Sequence, residues 1–404
     1  MQRIELLACG GSPEKTKTAL LYGADAVYVG GKAFSLRASA KNHTIDDLKA
    51  LIDYAHDLGR RVYVTVNIYA RNEQLPRLKD YIRTLSAIGA DAIIVSDPGV
   101  VAIAREVAPE LPLHLSTQAS TTNRAAVSFW AHQGIRRVIA ARELCLAEIG
   151  EIAKETSIEL ECFVHGAMCV AYSGRCLLSA YMAARSANQG DCAHPCRYRY
   201  AVVEEKRPGE YFPVEEDDQG TYIFSSKDLC MIDHLPELVE AGATSLKIEG
   251  RMKSVHYVAT VTNAYRRAID AYYTSVRSYQ GILEDLREEL NKISHRPYTT
   301  GFYFGHPQDE AVTPDEDTKA GCRFVGIVVD YDKEESVAKI EVRNTLHPQE
   351  ELEFLLPGQE PVFLKAQFTF QDPARGEVAH PNDLIYMKMP QVPIGTVIRA
   401  PIYR

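Results

Sequence analysis

The 404-residue sequence lacks any uninterrupted apolar run approaching the ~20 residues needed to cross a bilayer, and its start, MQRIELLACGG, holds too short an apolar stretch for a secretory signal. A soluble cytoplasmic protein with no membrane role is therefore expected. Positive charge is not in excess either: 45 Lys and Arg stand against 54 Asp and Glu, a net charge of -9. The molecule as a whole does not attract polyanions, and any nucleic-acid contact must rest on a local basic patch. With 20 Pro and 25 Gly there is no linker-like or fibrous bias. No HExxH zinc motif and no GxSxG elbow occurs, which removes two common hydrolase signatures. Nine cysteines, an odd count without a signal peptide, argue against a disulfide framework and favour metal or redox chemistry.

What is present is a near-repeat. YGADAVYVG (22–30), IGADAIIVSD (88–97), QGIRRVIAA (133–141) and AGATSLKIEG (241–250) each read as helix end, glycine turn and buried strand. Strands are predicted at 3–8, 25–30, 61–68, 91–96, 112–117, 136–141, 158–164 and 244–249, with helical patterns between them, one opened by a Thr44/Asp47 capping box. Eight such units fit an α/β fold of the (β/α)8 TIM-like barrel type, with a doubly wound open sheet as the alternative. The barrel is assigned to 1–305. It includes a Cys-rich insertion at 165–243 after the seventh strand, where a long loop would sit over the active face. A polar linker at 306–321 leads to six short alternating runs in 322–404, read as a small C-terminal all-β barrel domain.

The insertion carries Cys169, Cys176, Cys192 and Cys196, with six, fifteen and three residues between successive thiols. Four thiols suffice for a tetrahedral sulfur site. The gaps fit an iron-sulfur cluster held across folded loops better than the paired knuckles of a zinc ribbon, with zinc or plain buried thiols as the alternatives. Cys230 is a substitute ligand candidate, whereas Cys9, Cys145, Cys162 and Cys322 read as small buried hydrophobes.

Around the expected mouth, Lys247, Glu249 and Arg251 lie at the C-terminal end of the eighth strand, where barrel enzymes place catalytic groups. An ordinary ion-paired layer is the competing reading. His114, Ser116 and Gln118 alternate through LHLSTQ and are expected to share one polar face of the fifth strand. Asn67, Arg37, and Glu161 with His165 are further candidates at strand ends. In CRYRY, Arg197 and Arg199 alternate with tyrosines, suiting phosphate contact and base stacking, or a plain hairpin strand. The doublets Arg60/Arg61 and Arg136/Arg137 are expected to be solvated at the opposite end of the barrel.

The segment ECFVHGAMCVAYSGRCLLS (161–179) resembles the signature of the collagenase-like peptidase family U32, and DCAHPCRYRY, YIFSSKDLC and SLKIEGR resemble its remaining blocks. The likeness runs over roughly residues 1–300 and continues into the β domain. Within that family the sequence is most similar to the branch that hydroxylates tRNA. This resemblance implies an enzyme forming 5-hydroxyuridine at wobble position 34, with prephenate, a small anionic metabolite, as partner molecule. It also implies a [4Fe-4S] cluster on Cys169, Cys176, Cys192 and Cys196, and tRNA as the macromolecular partner. Related branches hydroxylate an rRNA cytidine or, as a heterodimer, the ubiquinone ring, so a paralogous subunit or a homo-oligomer is a further expectation. Peptidase chemistry remains the alternative, although a cysteine or serine peptidase needs a nucleophile beside a held base.

Overall fold

The computed structural model describes residues 3–35, 42–168, 174–185, 187, 191–193, 195, 201–202, 212–213, 227–305, 320–371 and 376–402. Seven strands, β1 (Glu5–Gly10), β2 (Ala26–Gly30), β3 (Arg61–Val66), β4 (Ala92–Val95), β5 (Leu113–Leu115), β6 (Arg137–Ile139) and β7 (Glu159–Ala167), pair in parallel, each with the next. The insertion contributes β8 (Ala201–Val202), β9 (Phe212–Pro213) and β10 (Asp228–Cys230). β11 (Ser245–Ile248) then pairs in parallel with both β7 and β1, closing an eight-stranded barrel. That closure excludes the open sheet. β10 runs antiparallel along the C-terminal half of β7, and β12 (Tyr298–Thr299) pairs with β10, widening the wall beside the mouth.

The strands form where β-branched and aromatic runs can be buried on both faces, and nearly every residue of β1 to β4 is buried. Helices α1 (Pro13–Leu21), α2 (Ile45–Asp57), α3 (Leu75–Ala87), α4 (Pro98–Val107), α5 (Arg124–His132) and α6 (Leu146–Glu155) make the crossovers. α2 opens with the expected reciprocal cap between Thr44 and Asp47. At the four repeats the glycine has φ of +97° (Gly23), +85° (Gly89), +81° (Gly134) and +91° (Gly242), the left-handed turn that lets a helix end and the next strand begin. Two short helices, α7 (Leu178–Ala183) and α8 (Leu235–Glu240), precede β11, and α9 (Val255–Thr274) follows it. Among the described residues, no helix is long and apolar enough to cross a membrane.

Chain contacts divide the molecule into two compact units, residues 1–16, 25–252 and 296–317 in one and 17–24, 253–295 and 318–404 in the other. Besides a cut within 306–321, of which 306–319 lie outside the described residues, the second unit takes in 17–24 and 253–295. α9 packs against a strand of the C-terminal sheet, and Tyr22 donates its hydroxyl to Leu355 O at 2.6 Å while accepting the Val397 N–H at 2.9 Å.

The second unit contains α9, α10 (Val276–Gly281), α11 (Leu283–Asn291) and seven antiparallel strands: β13 (Cys322–Asp332), β14 (Val337–Val342), β15 (Glu351–Leu355), β16 (Val362–Lys365), β17 (Phe368–Phe370), β18 (Leu384–Lys388) and β19 (Val397–Pro401). Six runs become seven strands because PVFLKAQFTF breaks at Ala366, whose buried backbone turns to bond Gln349 and Glu350. The sheet order β16-β15-β19-β13-β14-β18-β17 has two unjoined ends among the described residues, so the expected closed barrel is a half-barrel.

A buried charge cluster ties this unit together. The wholly buried Arg399 pairs with Glu289 at 2.6 Å and Glu353 at 2.8 Å, and Lys292 bonds both carboxylates. Burial first, and then the Arg399 charge, pushes the neighbouring His256 down to about 3. In the barrel unit, His43 and His114 are likewise held below the ordinary imidazole range, chiefly by burial. A histidine that stays neutral in the fold but protonates when unfolded contributes stability that is complete above about pH 6.5 and shrinks as pH falls below it. Stability in urea is therefore expected to fall between pH 6.5 and 5, above the range of the carboxylates. The loss is about 1.4 kcal/mol per pH unit for His256, which stays neutral across that window, and His256→Gln should make the slope shallower by one proton. A flat profile over that window in the unsubstituted chain would refute the burial argument.

Candidate functional site at the barrel mouth

The barrel lumen is lined by charge where an apolar core is usual. Glu5 at the start of β1 bonds Arg137 (2.5 Å), Arg61 (2.6 Å), the Tyr63 hydroxyl (2.7 Å) and the Ser245 hydroxyl (2.8 Å). Arg137 continues to Glu161 at 3.1 Å, and Glu161 to Lys247 at 2.7 Å. Burial raises the Glu5 carboxyl, but Arg137 and Arg61 outweigh it and leave it below the usual carboxylate range. Arg137 is held firmly protonated by Glu161 and Glu5 against its own burial. Such a layer persists because every charge has a partner. The expectation of solvated doublets is corrected at Arg137 alone, which is buried against Glu5 and Glu161; Arg61 stays exposed along its length while its tip pairs with Glu5. Glu161 and Lys247 are occupied by each other, so they form the floor of the site. His114 sits in the same layer, its ring edge-on to Tyr63 at 4.6 Å.

One layer higher, three side chains converge on Gln118. Its Oε1 accepts from Asn67 Nδ2 at 2.8 Å, Ser96 Oγ at 3.2 Å and Ser116 Oγ at 3.3 Å, while Tyr69 donates its hydroxyl to the Gln118 carbonyl at 2.7 Å. The simple alternation through LHLSTQ does not hold to its end. β5 stops at Leu115, Ser116 caps a 3-10 turn over Thr117–Ala119, and that turn brings Gln118 to the cluster.

At the mouth, β11 delivers Glu249 and then Arg251. Glu249 Oε2 accepts the Tyr28 hydroxyl at 3.0 Å, and the Glu249 N–H bonds His165 O at 2.9 Å across to β7. Arg251 is buried, with Nη2 2.8 Å from Asn42 Oδ1 and both terminal nitrogens 3.2 to 3.3 Å from Ser35 Oγ. A Cβ on Gly30 would lie 2.0 Å from that guanidinium, so only glycine leaves room for it. His165 is buried, faces the Tyr298 ring at 5.3 Å and stands opposite Cys230 in the β7–β10 ladder.

The thiol-bearing segment leaves β7 beside this mouth. A Cβ on Gly174 would lie 2.4 Å from Gln118 O and 2.9 Å from Tyr69 Oη, which seats the returning loop on the Gln118 cluster. Cys176 follows two residues later and is half-buried. Ser179 Oγ on α7 accepts the Ala193 N–H at 2.9 Å, which ties the residue after half-buried Cys192 to the helix that follows Cys176. Cys176 and Cys192 are soft sulfur donors of the kind a thiophilic metal group takes. Cys169 and Cys196 lie outside the described residues, as do Arg37, Arg197 and Arg199. Among the described residues no group of three or more His, Cys, Asp or Glu gathers as a metal site.

Peptidase chemistry would need a nucleophile beside His165, and Cys162, three residues before it on β7, does not serve. Strand alternation turns Cys162 away from the lumen side occupied by Glu161, and its wholly buried thiol is pushed up to about 12 by burial and by the Glu161 charge. A thiol kept neutral is not an activated nucleophile. Several participants escaped the sequence reading: Glu5, Tyr28, Tyr63, Ser35, Asn42 and Ser96. A polar residue on a barrel strand is the signal for Glu5, Tyr28 and Tyr63, and it does not name a partner; Ser35, Asn42 and Ser96 follow β2 and β4 in loops.

Comparison with known proteins agrees with this layout. The sequence pattern of peptidase family U32 matches residues 11–313, and that of the family's C-terminal domain matches 320–399. The tRNA hydroxylation protein P1 of Bacillus subtilis is 42% identical over 354 residues, covering 87% of this chain and 83% of that protein. The tRNA hydroxylation protein P of Escherichia coli is 38% identical over 402 residues, covering 88% and 87%. The 23S rRNA 5-hydroxycytidine C2501 synthase of Escherichia coli is 36% identical over 269 residues, 67% of this chain and 40% of that protein. With its barrel and C-terminal strands both matched, the chain belongs to peptidase family U32.

Proposed function

We propose that the chain is a tRNA-modifying hydroxylase that forms 5-hydroxyuridine at wobble position 34, with prephenate as partner metabolite and a [4Fe-4S] cluster on Cys169, Cys176, Cys192 and Cys196. The observation that carries this reading is the adjacency of β7 and β11. The thiol-bearing segment leaves β7 two residues past His165, and Glu249 and Arg251 leave β11 at the same rim. Similarity over most of the chain to tRNA hydroxylation proteins supports tRNA as substrate.

The chain's own residues would divide the work. Arg251, held by Ser35 and Asn42, presents a cation suited to a carboxylate or phosphate. The Gln118, Asn67, Ser96 and Ser116 cluster supplies amide and hydroxyl groups for the edge of a base. Glu249 stands ready to accept a proton. Bound to the four thiolates, the cluster would supply one-electron redox chemistry at the rim.

Anaerobically purified protein is expected to absorb near about 400 nm with matching iron and sulfide, and Cys176→Ser with Cys192→Ser should abolish both signals. A colourless, zinc-loaded protein would overturn the cluster. Nucleoside mass spectrometry of tRNA from a strain deleted for the gene and any paralogue should show loss of 5-hydroxyuridine. Unchanged 5-hydroxyuridine there would overturn the substrate.

A further inference from the structure

Glu249 is seated from three directions. Its backbone N–H is bonded to His165 O on β7 at 2.9 Å. Gly166, at φ +107°, lies so close that a Cβ there would be 2.3 Å from the Glu249 carbonyl oxygen and 3.1 Å from its Cβ. From the other side, Tyr28 on β2 reaches past β1 and places its hydroxyl 3.0 Å from Glu249 Oε2 and 3.1 Å from Ile248 O.

Tyr28 is itself clamped. Its ring is buried, with the Lys247 ammonium 4.4 Å from the ring centroid, and that ammonium is anchored by Glu161 at 2.7 Å. A cation over the ring face and a carbonyl at the hydroxyl leave the phenol little freedom. Burial, and then the Glu249 charge, push the phenol well above its ordinary value, so the group is a donor and not a phenolate. A protonated phenol on a carboxylate oxygen favours the ionised carboxylate and fixes its orientation.

We propose that Tyr28 is the positioning residue for Glu249, holding the mouth carboxylate ionised and in one orientation so that it can accept a proton from the bound substrate. The inference rests on the hydroxylase reading and deepens it. Through Lys247 and Glu161, the buried ion layer of the lumen becomes the support of the reacting carboxylate. The proton passes from the substrate to a Glu249 oxygen, and Tyr28 keeps its own.

The test uses full-length, cluster-loaded protein, prephenate and unmodified tRNA, with product read as 5-hydroxyuridine by mass spectrometry. Tyr28→Phe keeps the ring and removes the donor. It is expected to lower kcat about tenfold or more and leave the KM for tRNA unchanged. The acid limb of the kcat profile should move to higher pH, because the carboxylate loses a bond to its ionised form. A purely structural role would not move that limb. In the Glu249→Gln background, Tyr28→Phe should have no further effect on kcat. An unmoved acid limb, or additive losses in the double variant, would overturn the proposal.

Should Tyr28→Phe fail to fold, 3-fluorotyrosine at position 28 keeps the shape and strengthens the donor. The acid limb should then move to lower pH, and an unmoved limb overturns the proposal. The two levels of inference fail differently. A fully active Glu249→Gln removes the reading of the mouth, whereas an inactive Glu249→Gln beside an unaltered Tyr28→Phe removes only the role of Tyr28.

Discussion

Arg137→Met is expected to cost the barrel about 3–5 kcal/mol, read as a lower urea midpoint at an unchanged m-value. Arg137 lies between Glu5 at 2.5 Å and Glu161 at 3.1 Å, and it also reaches Glu159 at 2.7 Å. Removing the guanidinium leaves two buried carboxylates facing each other across the lumen. Lys247 still answers Glu161, and Arg61 still answers Glu5, so the cost falls on the centre of the layer and not on its ends. Adding Glu161→Gln to Arg137→Met should recover part of the loss, because a neutral amide has less to lose by burial than an unpaired carboxylate. A loss below about 1 kcal/mol in the single variant would mean that the lumen is wet enough to solvate these groups.

The second large effect falls on activity. Glu249→Gln keeps the shape of the side chain and should retain the Tyr28 contact through its amide oxygen, so urea stability is expected to stay close to that of the unsubstituted chain. Hydroxylation of tRNA should fall by about 10²–10⁴-fold, the range that a positioned proton acceptor contributes. Lys247→Met, two residues back on the same strand, should do the reverse. It strands Glu161 in the lumen and destabilises the fold. Full activity in Glu249→Gln would remove the carboxylate from the chemistry.

These two residues also show where reading the sequence works and where it stops. A period of two places Lys247 and Glu249 on one face at the end of the eighth strand, with an ordinary ion-paired layer as the competing reading; the strand itself ends at Ile248. The two side chains end at different depths. Lys247 meets Glu161 one layer down, while Glu249 emerges at the rim against Tyr28. A period of two puts residues on a face, but the depth of each within a barrel depends on strand stagger and closure. Arg137 is the sharper case. Beside Arg136 at a strand start it reads as one of a solvated doublet, and the acid that buries it, Glu5, is 132 residues away. Gln118 fails in another way. Its reach to Asn67 and Ser96 comes from a 3-10 turn that replaces the end of the expected strand.

Local order was legible from the chain alone. Helix ends, glycine turns and buried strands recur at Gly23, Gly89, Gly134 and Gly242, and each depends on a few adjacent residues whose φ and burial preferences are intrinsic. The count of eight strands, the insertion after the seventh and the change to short alternating runs near residue 320 follow from the same kind of information. Tertiary structure decided which charges meet in the lumen and which carboxylate stands against Tyr28 at the mouth. Tyr28 and Glu249 are 221 residues apart, and their 3.0 Å contact exists because β11 closes the barrel against β1 and brings β2 within reach. Pairing of that kind is a property of closure, and no local preference encodes it.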